Sequence, residues 1–175
     1  MIMHKTFREL ITDIQNKSRT SLLICTSMLT AGVILLAFGH MVGWLFVCMG
    51  IALGYSLYNK NARMKKELAK ISDMDRLSRE FDAADENRFE LLGLTVTSEY
   101  AVMELPYFQI YRLADMAKFE VGIQENIRKA LFLTDRSGQR HRIAETQKGD
   151  ALQEEFDRAY ETVRAYFNSR EEAQE

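Results

Sequence analysis

The longest feature of the hydrophobic pattern is an uncharged segment from Ser21 to Tyr58. It contains no Asp, Glu, Lys or Arg, and Gly39 and His40 lie near its middle. Each half spans 18 or 19 residues, within the roughly 17–25 residues that a helix needs to cross a hydrocarbon layer of about 30 Å. We therefore predict two transmembrane helices over residues 21–58, joined in a tight hairpin at Gly39 and His40.

The preceding segment, residues 1–20, is predicted to form an amphipathic helix that begins at a capping box of Thr6 and Glu9. Its apolar residues are spaced by threes and fours and therefore share one helix face: Phe7, Leu10, Ile11 and Ile14. The sequence leaves two placements open for this stripe. It lies either at the membrane interface or against the protein's own cytosolic part.

Residues 59–86 are predicted to continue the second span as a helical stalk. The segment contains neither glycine nor proline. Its apolar residues again follow the helical spacing: Met64, Leu68, Ile71, Met74, Leu77 and Phe81. We therefore expect one unbroken helix from the second span to Glu86.

From residue 87 onward the hydrophobic period changes from helical to twofold, which is typical of strands. Residues 89–98, 99–105 and 107–113 are predicted as one strand each. In the next strand four apolar residues alternate with polar or small ones and should share its buried face: Ala117, Phe119, Val121 and Ile123.

A hairpin and a closing helix complete the predicted fold. Residues 126–134 and 139–145 flank the turn Asp135–Gly138, where glycine suits a left-handed backbone. Residues 152–167 carry a broad apolar helix face. We predict an α+β fold in which residues 87–175 form about five antiparallel strands closed by a C-terminal helix, because nothing else remains to cover the apolar face of that helix.

The cytosolic part resembles the bacterial pleckstrin-homology-like domains that are attached to transmembrane hairpins. Three segments and the closing helix carry the resemblance: GLTVTSEYAVM, IYRLADMAKFEV and ALFLTDRSGQRHRI. The resemblance covers about eighty residues and implies a PH-like sheet. The family brings no catalytic residues to this chain.

Charge sets the orientation of the predicted hairpin. Lys17 and Arg19 precede the first span, several lysines and Arg63 follow the second, and the turn between them has no cation. The positive-inside rule therefore places both termini in the cytoplasm, in a multi-pass protein of the cell membrane. The net charge of -2 gives no support for nucleic-acid binding, which usually shows as a basic excess.

No pattern along the chain predicts catalysis. His4, His40 and His141 are far apart, and no His/Cys pair has metal-ligand spacing. Cys25 and Cys48 lie within the predicted spans and are expected to be packing residues. We expect no catalytic, cofactor-binding or metal site, and an enzyme is the least favoured class.

Two sets of residues are candidates for binding. The first is basic and lies on or beside the predicted hairpin: Arg128, Lys129, Arg136, Arg140 and Arg142, with His141. It suits anionic lipid headgroups, but with Asp135, Glu125 and Glu145 interspersed it also suits an edge that is charged against aggregation. The second set consists of small residues of the second span: Gly43, Gly50 and Gly54. They suit packing of the two spans against each other or, alternatively, formation of a homo-oligomer.

These features favour a non-enzymatic binding or regulatory module, anchored in the lipid bilayer, whose cytosolic domain contacts another protein. The alternative is a structural or accessory subunit of a larger membrane complex, in which the hairpin is the packing element.

Overall fold

The computed structural model describes residues 5–105, 107–124, 128–147 and 149–172. Within these residues the fold is α+β, with four α-helices and two antiparallel sheets. The chain divides into two compact units, one up to Lys70 and one from Ile71. The second unit therefore begins sixteen residues before the predicted domain boundary at residue 87.

The first unit consists of two helices, α1 (Phe7–Ala37) and α2 (Gly43–Ala69). The predicted capping box is present, because the Thr6 hydroxyl accepts a hydrogen bond from the Glu9 amide and the Glu9 carboxylate accepts one from Thr6. The predicted amphipathic helix is not a separate element, since α1 continues unbroken through the predicted boundary at residue 20. Thr20 lies within α1, and its hydroxyl donates to the Asn16 carbonyl one turn earlier at 3.1 Å.

The turn between α1 and α2 lies at the predicted Gly39 and His40. The Gly39 amide donates to the Leu36 carbonyl and the His40 amide to the Leu35 carbonyl, both at 2.9 Å. This is the Schellman pattern, which requires a left-handed residue after the helix end. Gly39 supplies it with a φ of 80°.

Of the helices in the described residues, α1 alone is long and apolar enough to cross a membrane, as judged by length and composition. Only 11% of its most apolar 18-residue stretch is buried. A core helix of a soluble protein would be mostly buried. In α2 the apolar residues extend from Gly43 only to Tyr58, where Asn59 and Lys60 follow. The two-helix transmembrane hairpin therefore stays a prediction.

The predicted unbroken stalk is wrong, because α2 ends at Ala69 and a separate helix, α3 (Met74–Ala83), follows. The Asp73 carboxylate accepts a hydrogen bond of 2.9 Å from the Arg76 amide and so caps the new helix. Leu77 and Phe81, which were predicted on the stalk, are buried. An aspartate after Ser72 favours a helix start over a helix interior.

In its described residues the second unit contains seven strands, where about five were predicted. They are β1 (Arg88–Phe89), β2 (Leu94–Val96), β3 (Tyr100–Met103), β4 (Gln109–Arg112), β5 (Met116–Gln124), β6 (Arg128–Asp135) and β7 (Arg140–Gln147). Strands β1 to β4 form one sheet in sequence order, and β5 to β7 form another. All neighbouring strands are antiparallel, and α4 (Gln153–Glu172) follows β7.

Two of the predicted strands differ from those in the structure. Residues 89–98 form two strands, because a turn ends at Gly93, whose φ is 60° and whose amide donates to the Glu90 carbonyl. In β5 a register shift between Met116 and Lys118 changes which residues face the core. Met116 is buried and Ala117 exposed, the reverse of the prediction, because a bulge shifts the alternation by one residue. Of the other residues predicted on the buried face, Phe119 packs against the core, but Val121 and Ile123 are 44% and 70% exposed, so the prediction is wrong for them.

The core of the second unit lies between the two sheets and α4. Leu131, Leu133 and Ile143 from the three-stranded sheet pack with Phe156 and Val163 of α4 and with residues of the other sheet. This confirms the predicted apolar face of α4.

The α3 helix is tied to the β2–β3 turn, since the Glu80 carboxylate accepts hydrogen bonds from the hydroxyls of Thr97 and Ser98 at 3.2 and 2.9 Å.

Candidate functional site

The predicted basic residues are only partly brought together. Three of them project from the outer face of the three-stranded sheet, which we call the charged face: Arg128, Arg140 and Arg142. Lys129 follows Arg128 in β6 and therefore lies on the other side of that strand. Arg136 is in the β6–β7 turn, where its guanidinium donates to the Ala114 carbonyl at 3.2 Å.

Carboxylates neutralise much of the charged face. The Glu145 carboxylate pairs with Arg142 and, at 3.3 Å, with Arg128. Glu120 lies 2.8 Å from Lys118 and 3.6 Å from Arg140. These pairs hold the arginines and leave a mixed surface rather than a basic one. Glu125, the remaining predicted acidic neighbour, lies outside the described residues.

Arg140 is also packed against an aromatic ring. Its guanidinium carbon lies 3.8 Å from the centre of the Phe132 ring, close enough for a cation–π contact. A Cβ atom at Gly122 would approach both Phe132 and Arg140, at 2.8 and 3.1 Å. The small residue in β5 therefore leaves room for this stacked pair.

The β6–β7 turn is held by Asp135. Its Oδ1 atom accepts hydrogen bonds from the amides of Ser137 and Gln139, both at 2.9 Å, and from the Ser137 hydroxyl at 2.6 Å. Its Oδ2 atom lies 3.1 Å from His141 Nε2. The Ser137 hydroxyl, and after it His141, lower the pKa of Asp135 to about 2. The contact between Asp135 and His141 is therefore part of the structure of the predicted turn.

The three predicted glycines of α2 lie where α2 faces α1. A Cβ atom at Gly43 would meet the Gly32 carbonyl oxygen at 2.5 Å, and one at Gly50 would meet Leu29 at 2.7 Å. At Gly54 the nearest atom is Cys25 Sγ, at 3.2 Å. These contacts match packing of the two helices within one chain. Gly32 completes this interface on α1 and was not predicted.

Polar contacts cross the same helix pair. The buried Cys25 thiol donates to the Gly50 carbonyl at 2.8 Å, and Ser18 and Asn61 exchange hydrogen bonds of 3.0 and 2.7 Å. Together with the glycines they fix the register of α1 on α2. Cys48 is an exposed free thiol, so it does not share the predicted packing role of Cys25.

An open groove in the second unit was not predicted. It has a volume of about 530 Å³ and runs between the β1–β2 turn, the start of β4 and the middle of β7. We call it the apolar groove. Its apolar lining consists of Leu92, Met103, Ile143, Ala144 and Leu152, and Gln109, Arg142 and Glu145 line it as well.

Three large side chains form an exposed rim of the apolar groove. Leu91 and Leu105 are each 58% exposed, and Tyr107 is 45% exposed. The Glu155 carboxylate of α4 accepts hydrogen bonds from the amides of Leu91 and Leu92, at 2.9 and 3.3 Å. The side of the rim that carries Leu91 is therefore held by the core helix.

The two loops of the rim are also tied to each other. The Glu104 amide donates to the Gly93 carbonyl at 2.7 Å. A Cβ atom at Gly93 would lie 3.0 Å from that of Leu105. A signal for this rim is present in the sequence, because consecutive apolar residues stand at turns, where polar residues are the rule.

Within the part of the chain that the structure describes, no group of three or more His, Cys, Asp or Glu side chains is placed to hold a metal ion. Comparisons with protein-family models, with curated proteins and with solved structures gave no match for this chain.

Proposed function

We propose that this protein is a membrane-anchored, non-enzymatic binding module whose second unit contacts another protein through the apolar groove. The anchoring part is the α1–α2 pair. The binding part is a PH-like domain, consisting of the two sheets and α4.

The exposed surface of the helix pair supports the anchoring role. Large apolar side chains of α1 face outward, with Leu23 67% and Val33 59% exposed. Those of α2 do the same, with Ile51 61% exposed. A surface of this kind is typical of contact with lipid and rare on a soluble monomer. We propose that α2, with Met41 and Val42 before it, completes the hairpin with both termini in the cytoplasm.

The arrangement of the second unit supports the PH-like assignment. A four-stranded and a three-stranded antiparallel sheet enclose one core, and a C-terminal helix covers it. This is the plan that the sequence resemblance implies. The α3 helix is an addition to that plan.

The observation that carries the binding role is the exposed apolar rim formed by Leu91, Leu105 and Tyr107. Apolar side chains that border a groove on a fixed framework are typical of interaction sites. A protein ligand is favoured over an anionic lipid, because the arginines of the charged face are paired with Glu120 and Glu145.

Site-specific photo-crosslinking in the full chain tests this function. A photoreactive residue at Leu105 should form an adduct with a second protein, whereas the same residue at Gln139, which is exposed in the β6–β7 turn, should not. Equal labelling at both positions would contradict the proposal.

The alternative, an accessory subunit that acts through its helices, is supported by the exposed apolar face of α2. A photoreactive residue at Ile51 tests it in the same experiment. A protein adduct at Ile51 without one at Leu105 would favour the accessory subunit over the binding module.

A further inference from the structure

The edge strands of the two sheets are not equally protected against pairing with another strand. Strand β1 has two residues and β4 has four, and short edges offer few backbone groups. Strand β7 has eight residues but carries a register shift near its middle. Strand β5 has nine residues, and its one shift lies at its beginning, between Met116 and Lys118. From Phe119 onward β5 is therefore a regular edge.

The second half of β5 also exposes apolar side chains. Val121 is 44% and Ile123 is 70% exposed. Both share a strand face with Phe119, because side chains alternate. Phe119 is covered by α4, since its ring lies 5.3 Å from that of Tyr160 and 5.9 Å from that of Phe167. The apolar line therefore continues from the core onto an exposed edge.

The charges of β5 do not protect this edge. Lys118 and Glu120 pair with each other at 2.8 Å, and Glu120 also lies 3.6 Å from Arg140 of β7. Their charges are thus partly neutralised within their own sheet. Natural proteins usually place inward charges, bulges or proline on a long edge to prevent pairing, and residues 119–123 contain none of these.

The segment is complementary to itself in the antiparallel direction. If two copies pair with Val121 opposite Val121, Phe119 of each copy lies opposite Ile123 of the other, and all three apolar residues meet on one face. Glu120 then lies opposite Gly122, so that like charges do not meet. A register centred on Glu120 would bring two carboxylates together, and one centred on Gly122 would leave Phe119 outside the apolar pairs.

We propose that β5 is a homodimerisation edge, at which two copies of this chain pair antiparallel around Val121 and join their three-stranded sheets. Because the segment is complementary to itself, the partner at this edge is a second copy of the chain. The interface is separate from the apolar groove, and it does not depend on the glycines of α2, which are used within the α1–α2 pair.

Cysteine cross-linking of the full chain tests this dimer. Directly opposed residues of antiparallel strands have Cα atoms about 4.5–5.5 Å apart, within the range of about 4.4–6.8 Å that a disulfide spans. In membranes that contain the Cys25→Ala, Cys48→Ala chain, Val121→Cys should give a covalent dimer on oxidation. The matched control is Leu91→Cys, at another exposed apolar residue, and it should give at most about a tenth as much dimer. The background chain without a new cysteine should give none.

A second substitution distinguishes edge pairing from random collision. Adding Ile123→Lys to the Val121→Cys chain places a cation opposite Phe119 of the other copy, and cross-linking should fall about tenfold. Adding Met74→Lys, at an exposed apolar residue of α3, should leave it unchanged. Equal cross-linking at positions 121 and 91, no dimer at 121, or a disulfide to a different protein would each overturn the proposal.

Discussion

The charged face and the apolar groove belong to the same folded unit. They differ in whether their exposed side chains already have partners within the protein. On the charged face, Arg128, Arg140 and Arg142 are held by Glu120, Glu145 and the Phe132 ring. At the groove, Leu91 and Leu105 point apolar surface at solvent. The number of charges in a segment is therefore a poor guide to the charge that its surface presents, because neighbouring carboxylates pair with the arginines.

The largest expected effect comes from the core that supports both surfaces. Phe156 is 2% exposed, and Phe156→Ala should cost roughly 3–5 kcal/mol of unfolding free energy by leaving a cavity. Chemical denaturation of the second unit, monitored by circular dichroism, measures this. The matched control is Tyr107→Ala at the rim, which should change stability by less than about 1 kcal/mol. Equal losses in both variants would contradict the assigned core.

A smaller effect should follow if the charged face loses a carboxylate. Glu145→Gln leaves Arg128 and Arg142 without their shared partner, and each cation near an anionic bilayer contributes about 1 kcal/mol at most. The excised second unit, residues 71–175, should not bind anionic vesicles at physiological salt. The Glu145→Gln variant should bind them weakly and lose this binding at high salt.

Vesicle sedimentation at two salt concentrations checks this prediction. The control is Glu161→Gln on α4, whose carboxylate lies 4.0 Å from the Arg164 guanidinium, and it should leave vesicle binding unchanged. Salt-sensitive binding by the unsubstituted unit, abolished by Arg140→Ala and Arg142→Ala together, would instead make the charged face a lipid site.

The smallest expected effect concerns pH and the turn beside the charged face. Since the pKa of Asp135 is lowered from 3.8 to about 2 in the folded state, the carboxylate stabilises the fold at pH values above its unfolded pKa. This contribution is lost as the pH falls toward the folded pKa. The melting temperature of the second unit should therefore fall between about pH 5 and about pH 2.

The matched variant for this pH dependence is Asp135→Asn, which removes the titrating group and keeps the side chain's size. Its melting temperature should show a smaller fall over the same pH range. An identical slope in both proteins would show that other carboxylates account for the acid sensitivity.

The sequence predicted those features that depend on local pattern. The apolar face of α4, the turn at Gly39 and the hairpin around Gly138 each follow from residues that are close in the chain. The α2–α1 contact of Gly43, Gly50 and Gly54 could also be anticipated, because a short turn forces the two helices together.

Features that depend on register and on turns could not be predicted in the same way. The pairing of Arg128 with Glu145 requires β7 to lie beside β6 in a register that includes a shift. The groove requires the turn at Gly93 to lie against Leu105. This turn was not predicted, because the residues around Gly93 are apolar and resemble a strand. Asp73 did indicate a helix start, but the regular spacing of Leu68, Ile71 and Met74 favoured the prediction of one continuous helix.

We propose that the protein binds another protein through the apolar groove and not through the charged face, and a comparison of two double variants of the full chain tests this. The assay is quantitative co-purification of the protein that is photo-crosslinked at Leu105. Leu105→Asp with Tyr107→Asp should abolish its capture, because both changes place charge on exposed apolar surface while leaving the core intact. Arg128→Ala with Arg140→Ala should retain it, because neither of these charged-face arginines lines the groove. Retention in the first variant and loss in the second would contradict the claim.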